Sequence, residues 1–468
     1  MAIQRLSEKL RANPERTILQ PFEIGEERTK KIIERVNSLP GDFAEKLLGE
    51  VMKDFGKRHN NFKEKLFLNF KKIEHLTGNN IPENKKYLLG AYFSKEYSIE
   101  AAALFNPSIV PHPDQSRLKP GMTRIILSLR ATGEGHISSI EFRTGIIDEE
   151  NNIYLDPVSN QTELAEVVNG KNFSAKEIQS KRKYFDDIEE KLIKALPESF
   201  SKEEFYKTAQ TLKHADGKSI AALLDYIDSN YEIKFNSGTK INERVIFPYS
   251  KSESMGMEDM RLVKFTEDDG TQKYYGTYTA YNGRSFRVQM LETTDFTNFE
   301  IKTLHGNAVK DKGMALFPRK INGKYFMVGR QDGENISIME SDDLHYWRDY
   351  KLLKQPEQSW EFVQLGNCGS PIETEKGWLL ITHAVGYFRK YVISACLLDI
   401  NNPDKVIASM KNPLISPDEN EREGYVPNVV YSCGSLLHKN ELIIPYAMSD
   451  SVTGFAKIEI NELLNEMI

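Results

Sequence analysis

Three charged side chains, Glu258, Asp259 and Arg261, stand within four positions just before an apolar run. Successive side chains of a β-strand point to opposite faces. The spacing therefore predicts that Asp259 and Arg261 share one face and that Glu258 points to the other. An acid and a guanidinium on the face of a cavity can hold each other and a sugar hydroxyl. The alternative is a surface ion pair on an edge strand, which would carry no chemistry.

Five otherwise apolar segments each contain or adjoin one charged or titratable residue: Arg130, Lys312, Arg330, His383 and Asp450. Taken singly, each is typical of a strand end that reaches solvent. Taken together, one for each predicted strand unit, they indicate a cavity lined by polar side chains. The aromatic residues that either offer a face to a sugar ring or pack in the core are Tyr278, Tyr281, Tyr387 and Trp378.

The strands that must position these residues lie in the second half of the chain. From about residue 240 onward, short β-rich segments alternate with turns, which predicts an all-β barrel, sandwich or propeller. Residues 291–300 (LETTDFTNFE) resemble residues 338–347 (IMESDDLHYW), with 48 positions between Asp295 and Asp343. A repeat of this length is typical of a four-stranded propeller blade. Units of this size also fit at 100–157, 367–415 and 424–460, which predicts five blades.

Two parts of the chain have a different pattern. Residues 1–100 carry apolar residues at helical spacing, interrupted at Leu39–Gly41 and ended at 77–80, and predict a helical extension. A polar, charged stretch at about 160–230 predicts a helical insertion within a catalytic domain spanning 101–468. Packing or homo-oligomer contact is the expected use of the N-terminal helices.

Composition excludes several classes of function. The chain has 468 residues, a net charge of -6 and a pI near 6.0, so no basic face for nucleic acid is expected. It contains no run of about 18 apolar residues that predicts a membrane span. The charged start, Met1–Arg16, does not resemble a secretory signal. Cys368, Cys396 and Cys433 fit buried reduced thiols in a cytoplasmic protein. No cluster has metal-ligand spacing, so neither a metal nor a cofactor is predicted.

Several segments, in order, resemble glycoside hydrolase family 130, the inverting β-mannoside phosphorylases and β-mannosidases. The resemblance covers about 100–157 and 240–468 and leaves the N-terminal helices and the insertion outside. The segments are FNPSIV (105–110), LSLRA (127–131), MEDMR (257–261), YTAYNGRSFRVQM (278–290), KGMALFPRKINGKY (312–325), GSPIETEKGWLLITHAV (369–385), LLDINNPDKVI (397–407), EGYVPNVVYSCG (423–434) and YAMSDS (446–451).

The resemblance implies a five-bladed β-propeller that binds a β-mannoside oligosaccharide. It implies that Asp259 is the general acid, acting through a hydroxyl of the bound mannosyl unit. It further implies substrate contacts from Asn106, Arg130, Arg261 and Asp450, and we add Glu258 and Tyr281 as their neighbours. Because an acid must be protonated when it acts, we expect burial or Glu258 to raise the pKa of Asp259.

The nucleophile separates the two activities of the family. A phosphorylase uses inorganic phosphate as co-substrate, held by cations, whereas an inverting hydrolase uses water activated by a carboxylate about 6.5–9.5 Å from the acid. The candidates for the phosphate or water site are Arg287, Lys312, Arg330 and His383.

The sequence departs from the family pattern in this part. An arginine expected near residues 299–302 is absent, and a histidine–arginine pair is replaced by Gly329 and Arg330. Two acids, Glu334 and Glu361, stand nearby as candidate catalytic bases or as plain loop residues. This pattern favours an inverting glycosidase acting on β-1,2- or β-1,4-mannooligosaccharides. The alternatives are a phosphorylase that releases α-mannose 1-phosphate and a non-catalytic carbohydrate-binding propeller.

Overall fold

The computed structural model describes residues 3–78, 80–168, 172–184, 189–211 and 216–467. The insertion predicted at about 160–230 and the turn predicted at 77–80 therefore lie partly outside the described residues. None of the helices in these ranges is both long and apolar enough to cross a membrane.

The N-terminal part combines helices with strands. Its elements are β1 (Gln4–Leu10), β2 (Thr17–Pro21), α1 (Glu26–Asn37), α2 (Gly41–Phe55), α3 (Phe62–Ile73), α4 (Glu83–Tyr92) and β3 (Ser94–Ser98). The helices share a core around Ile33, Phe70 and Leu89. Sequence periodicity found these helices but missed the strands β1, β2 and β3. Of these, β1 pairs with β30. The mostly polar sequence of β1 gave no apolar signal, because the strand lies at the edge of a sheet.

The first antiparallel meander follows as β4 (Ala103–Pro111), β5 (Thr123–Thr132), β6 (Ser138–Ile147) and β7 (Ile153–Leu155). The insertion comes next. Its elements are β8 (Glu163–Leu164), β9 (Glu166–Val167), β10 (Phe173–Ser174), α5 (Ala175–Ser180), α6 (Glu190–Ala195), β11 (Ser199–Phe200), α7 (Lys202–Thr211), α8 (Gly217–Ser229), β12 (Tyr231–Lys234) and β13 (Arg244–Ile246). Its helices enclose a separate apolar core around Ile178, Phe200 and Leu223.

Four more antiparallel meanders complete the described chain. The second is β14 (Gly256–Thr266), β15 (Gln272–Tyr281), β16 (Phe286–Thr293) and β17 (Asn298–Thr303); the third is β18 (Ala315–Leu316), β19 (Tyr325–Gly329), β20 (Ile336–Ser341) and β21 (Lys351–Lys354). The fourth is β22 (Gln364–Asn367), β23 (Ile372–Thr374), β24 (Gly377–Val385), β25 (Tyr391–Leu398) and β26 (Val406–Ser409); the fifth is β27 (Val430–Tyr431), β28 (Leu436–His438), β29 (Glu441–Met448) and β30 (Val452–Glu459), followed by α9 (Ile460–Glu466).

Consecutive meanders pack face to face through apolar side chains. Separate clusters join the first to the second, the second to the third, the third to the fourth and the fourth to the fifth. A further cluster joins the fifth back to the first, for example through Leu127, Ile443 and Phe455. The strand β1 adds an outer strand to the fifth meander by pairing with β30.

The internal repeat seen in the sequence occupies equivalent places in two consecutive meanders. Asp295 and Asp343 each follow the third strand and accept backbone N–H groups of the turn. Phe296 and Leu344 come next and are buried, as are Phe299 and Trp347. The repeated sequence therefore corresponds to the same turn in both meanders and to the buried side chains that follow it.

Candidate active site

Strand β14 has a bulge at the charged motif. Its pairing with β15 shifts register between Glu258 and Arg261, and Asp259 has a φ of 55°, in the left-handed region. The bulge breaks the two-residue alternation of the strand. Glu258 and Asp259 consequently both reach Arg130. The expectation that Glu258 points away from Asp259 is therefore wrong.

Arg130, on β5, joins the two carboxylates. Its Nη2 lies 2.8 Å from Oε1 of Glu258 and its Nη1 lies 3.3 Å from Oδ1 of Asp259. Lys312 donates to the other oxygen of Glu258 across 2.7 Å. Glu258 is thus paired with two cations. It fixes their positions and does not face the cavity as a free acid.

Strand β4 carries a matching bulge. Its register shifts between Phe105 and Ser108, and Asn106 has a φ of 49°. Asn106 and Asp259 therefore occupy equivalent positions in the first strands of two consecutive meanders. The Asn106 amide donates to Oδ1 of Asp259 across 2.7 Å.

Arg261 lies beneath this pair and is buried. It donates through Nη1 to the backbone oxygen of Asp259 at 2.9 Å and through Nη2 to the Tyr431 hydroxyl at 2.5 Å. Among the described residues, its Nε and the Oδ1 of Asn367 are buried without a hydrogen-bond partner. Both residues line the same cavity, so these atoms can satisfy a polar ligand.

The cavity has a volume of about 310 Å³. It brings together residues that the sequence analysis named one by one: Asn106, Arg130, Asp259, Arg261, Lys312, Arg330, His383 and Asp450. Its described lining includes five permanent cations and three carboxylates. Such a site favours a ligand that carries negative charge.

The pKa of Asp259 is lowered, contrary to the sequence prediction. Burial alone would raise it, but the charges of Arg130 and Arg261 and the hydrogen bond from Asn106 outweigh burial. Asp450 behaves in the opposite way, because burial and the charge of Asp259 raise its pKa to about 6. Asp450 therefore keeps its proton to a higher pH than Asp259 does.

His383 enters the cavity as a neutral ring. Burial, followed by the charges of Arg330 and Arg261, holds its pKa well below the usual range. Its predicted role as a cation is therefore corrected, since a charged imidazole is disfavoured there. Arg330 remains a cation of the cavity and lies 3.3 Å from Asp311.

Five predicted site residues are not among those that line this cavity: Glu258, which pairs with Arg130 and Lys312, and four others. Arg287 pairs with Asp225 of α8 at 2.5 Å and lines a second cavity instead. Glu334 is exposed in the turn between β19 and β20. Glu361 is buried and accepts the backbone N–H groups of residues 357 and 358. Tyr281 stacks on Phe286, with ring centroids 4.7 Å apart.

The other candidate aromatics divide into core and surface. Trp378 is fully buried and donates to the backbone oxygen of Ile400, and Tyr278 is buried and donates to Glu253. Tyr387 is 70% exposed in the turn between β24 and β25. The ordinary packing interpretation is therefore correct for the first two.

Sequence reasoning missed Arg389, Asn367, Tyr391 and Tyr431, all of which line the cavity. Tyr431 lies in one of the segments that carry the family resemblance, but its buried hydroxyl had no local signal. Arg389 lies in a strand-connecting turn with a φ of 52°, and an arginine in the sequence gives no indication of such a conformation.

The three cysteines are free and buried, as predicted. Within the described ranges, no group of three or more His, Cys, Asp or Glu side chains is arranged to hold a metal ion. The side chains that line the described cavity are mainly carboxylates, cations and hydrogen-bond donors.

Comparison with known proteins gives a consistent result. The model of glycoside hydrolase family 130, described as beta-1,4-mannooligosaccharide phosphorylase, matches residues 201–468. A 1,2-beta-oligomannan phosphorylase from Thermoanaerobacter sp. (strain X514) is 35% identical over 55% of this chain and 86% of that protein. A beta-1,2-mannobiose phosphorylase from the same organism is 37% identical over 44% of this chain and 68% of that protein.

A solved structure also resembles this chain in fold. It is a candidate glycoside hydrolase from Parabacteroides distasonis, with a TM-score of 0.50 and 17% identity. The likeness covers 79% of this chain and 90% of that one. At this identity it concerns the fold alone.

Proposed function

Since the chain belongs to glycoside hydrolase family 130, we propose that it is an inverting β-mannoside phosphorylase. It would cleave a β-mannosidic bond with inorganic phosphate and release α-mannose 1-phosphate. The phosphorylase alternative of the sequence analysis thus replaces the hydrolase as the preferred function. The curated relatives support this choice, because both of those compared are phosphorylases.

The observation that carries the proposal is the excess of cations in the cavity. Lys312, Arg330 and Arg389 line it together with Arg130 and Arg261, against the carboxylates of three aspartates. Arginine and lysine side chains bind phosphate oxygens through charge-assisted hydrogen bonds. The two acids that had favoured water activation, Glu334 and Glu361, are not among the lining residues. The support they gave to a hydrolase is therefore lost.

We assign the steps as follows. Asn106, Arg130, Arg261 and Asp450 hold the mannosyl unit. A phosphate oxygen bonds to the anomeric carbon as the bond to the leaving oxygen breaks, which inverts the β configuration to α. Asp259 supplies the proton of the leaving oxygen through a mannosyl hydroxyl. Phosphate bound among the cations would also raise the pKa of Asp259, because it offsets the charges that lower it.

The same proposal takes the five meanders as the blades of a propeller. Their cyclic packing, with the fifth against the first, supports this arrangement. So does the convergence on one cavity of residues from every meander, for example Asn106, Asp259, Arg330, His383 and Asp450. We further propose β-1,2-linked mannosides as the preferred substrates, because the two relatives act on that linkage by name.

A product assay tests the function. We expect β-1,2-mannobiose to yield equal amounts of mannose and mannose 1-phosphate with phosphate, and neither without it. Arg330→Gln should raise the KM for phosphate at least about tenfold, which is about 1.4 kcal/mol of lost binding. Arg348 is exposed and lies outside the cavity, so Arg348→Gln is the matched control and should change the KM for phosphate little. Release of mannose without phosphate would instead identify a hydrolase.

A further inference from the structure

A second cavity of about 550 Å³, here called the α8 cleft, lies between the β-structure and helix α8 of the insertion. Its β-structure wall includes Phe286, Arg287 and the loop between β17 and β18. Asp311 of that loop lines both the α8 cleft and the cavity that contains Asp259, here called the catalytic cavity. The two cavities therefore adjoin. The volume lies within the range of about 300–1,000 Å³ that is typical of ligand pockets.

The near wall of the α8 cleft contacts Lys312, which lines the catalytic cavity. Phe286 lines the cleft and is 49% exposed. The Nζ of Lys312 lies 4.0 Å from the centroid of the Phe286 ring and 2.7 Å from Oε2 of Glu258. A chain that leaves the catalytic cavity past Lys312 would therefore meet Phe286 next.

The far wall belongs to helix α8. Lys218, Ala222, Asp225 and Tyr226 line the α8 cleft and do not line the catalytic cavity. The helix is anchored to β16 through Arg287, which contacts Asp225 at 2.5 Å and the Ser229 hydroxyl at 2.8 Å. This far wall is therefore attached to the β-structure by side-chain bonds.

A third contact attaches the insertion to the third meander. The Tyr184 hydroxyl donates to Asp343 across 2.6 Å, and its ring stacks on Tyr346 with centroids 5.3 Å apart. Tyr184 itself lines the α8 cleft. The insertion is thus attached to the β-structure at two places, through Arg287 and through Tyr184.

The chemistry of the lining favours a neutral, hydroxyl-rich ligand. The lining combines cations (Lys218, Arg287, Lys310) and carboxylates (Asp225, Asp311) with apolar surface from Phe286 and Val309. Side chains of both signs can bond to sugar hydroxyls, and apolar surface can pack on the C–H face of a sugar ring. We propose that the α8 cleft binds the leaving-group units of a β-mannooligosaccharide beyond the disaccharide, an inference that rests on the proposed function.

The test fills the far end of the cleft from α8. Ala222→Trp places a bulky side chain in the cleft, and Ala221→Trp places the same side chain on the exposed side of the same helix. Binding of β-1,2-mannobiose and β-1,2-mannotetraose is measured by calorimetry on an Asp259→Asn background, so that no bond is cleaved. Phosphorolysis of both substrates is measured on the otherwise unchanged chain.

The unsubstituted cleft should bind mannotetraose at least about tenfold more tightly than mannobiose. Ala222→Trp should remove that advantage and leave mannobiose binding within about twofold, whereas Ala221→Trp should retain it. Equal affinity for the two saccharides before substitution would overturn the inference. It would also be overturned if Ala222→Trp weakened the binding of mannobiose and of mannotetraose by the same factor. A retained chain-length advantage in binding without phosphate-dependent cleavage would overturn the proposed function and leave the cleft assignment standing.

Discussion

Asn106 donates its side-chain N–H to Oδ1 of Asp259 across 2.7 Å, although 153 positions separate the two residues in the chain. Each lies at a bulge in the first strand of its meander and has a positive φ. The contact stabilises the ionised form of Asp259, as do the charges of Arg130 and Arg261. These neighbours therefore hold the proposed acid as a carboxylate, and a group that offsets their charges would restore its proton.

Phosphate binding should be coupled to proton uptake by Asp259. A bound phosphate offsets the cations that lower the pKa of Asp259, so that pKa should rise and the protein should take up a fraction of a proton. Calorimetric titration with inorganic phosphate at about pH 5, in buffers of different ionisation enthalpy, measures this uptake. The same titration of Asp259→Asn corrects for the protons of phosphate itself. Identical proton counts for the two proteins would contradict the coupling.

Asp259→Asn should lower kcat by at least about 10³-fold and leave mannoside affinity within about tenfold. The amide keeps the size of the side chain but has no acidic proton to transfer. Steady-state phosphorolysis and calorimetric binding together measure both effects. Asp342→Asn, an exposed carboxyl outside the cavity, should leave kcat unchanged. Unchanged kcat in Asp259→Asn would remove this residue from the mechanism and favour a binding platform.

Glu334→Gln should leave turnover within about twofold, because Glu334 is exposed and is not among the residues that line the cavity. Glu361→Gln should also keep turnover but lower the free energy of unfolding by about 1 kcal/mol, since the carboxylate accepts two backbone N–H groups. Enzyme assays and urea unfolding distinguish the two effects. A loss of 100-fold or more in kcat for either variant would restore it as a catalytic base.

Asp450→Asn should stabilise the protein at high pH. Burial and Asp259 raise the pKa of Asp450 to about 6, so its favourable contribution is fully present below its ordinary pKa and is lost as pH rises through about 6. The asparagine avoids that loss, which is worth up to about 3 kcal/mol. Urea unfolding at pH 8 should show the gain, and unfolding at pH 4 should show little difference. A variant less stable than the wild type at pH 8 would contradict this sign.

Arg16→Met should destabilise the fold by about 3–5 kcal/mol. Arg16 is fully buried and lies 2.6 Å from Oε2 of Glu141 and 2.8 Å from Oε1 of Glu100. Its loss leaves two buried carboxylates with less compensating charge. The exposed Arg11→Met is the matched control and should change the free energy of unfolding by less than about 0.5 kcal/mol. Equal urea midpoints for the two variants would show that the buried network contributes little.

The sequence alone named eight of the residues that line the cavity, and the signal that revealed them differs from one to another. Arg130 interrupts an apolar strand and Asp450 closely follows one, and both patterns can be recognised in the sequence alone. Asn106 and Asp259 lie in segments whose order along the chain resembles a known family. Arg287 resembled a phosphate ligand equally well, yet it pairs with Asp225 of the insertion. No spacing rule relates a strand to a helix more than fifty positions away.

By itself, the amino-acid sequence determined the family, the short strands and the helices of the N-terminal part, and it singled out Asp259 as the candidate acid, because these depend on local periodicity and on segment order. Only the tertiary structure decided which way Glu258 points, which cations lie beside Asp259 and in which direction the pKa of Asp259 is shifted. Those outcomes follow from bulges and from charges brought together by distant strands. A pKa depends on distances in space, and the side-chain direction at a bulge departs from the alternation that sequence reasoning assumes.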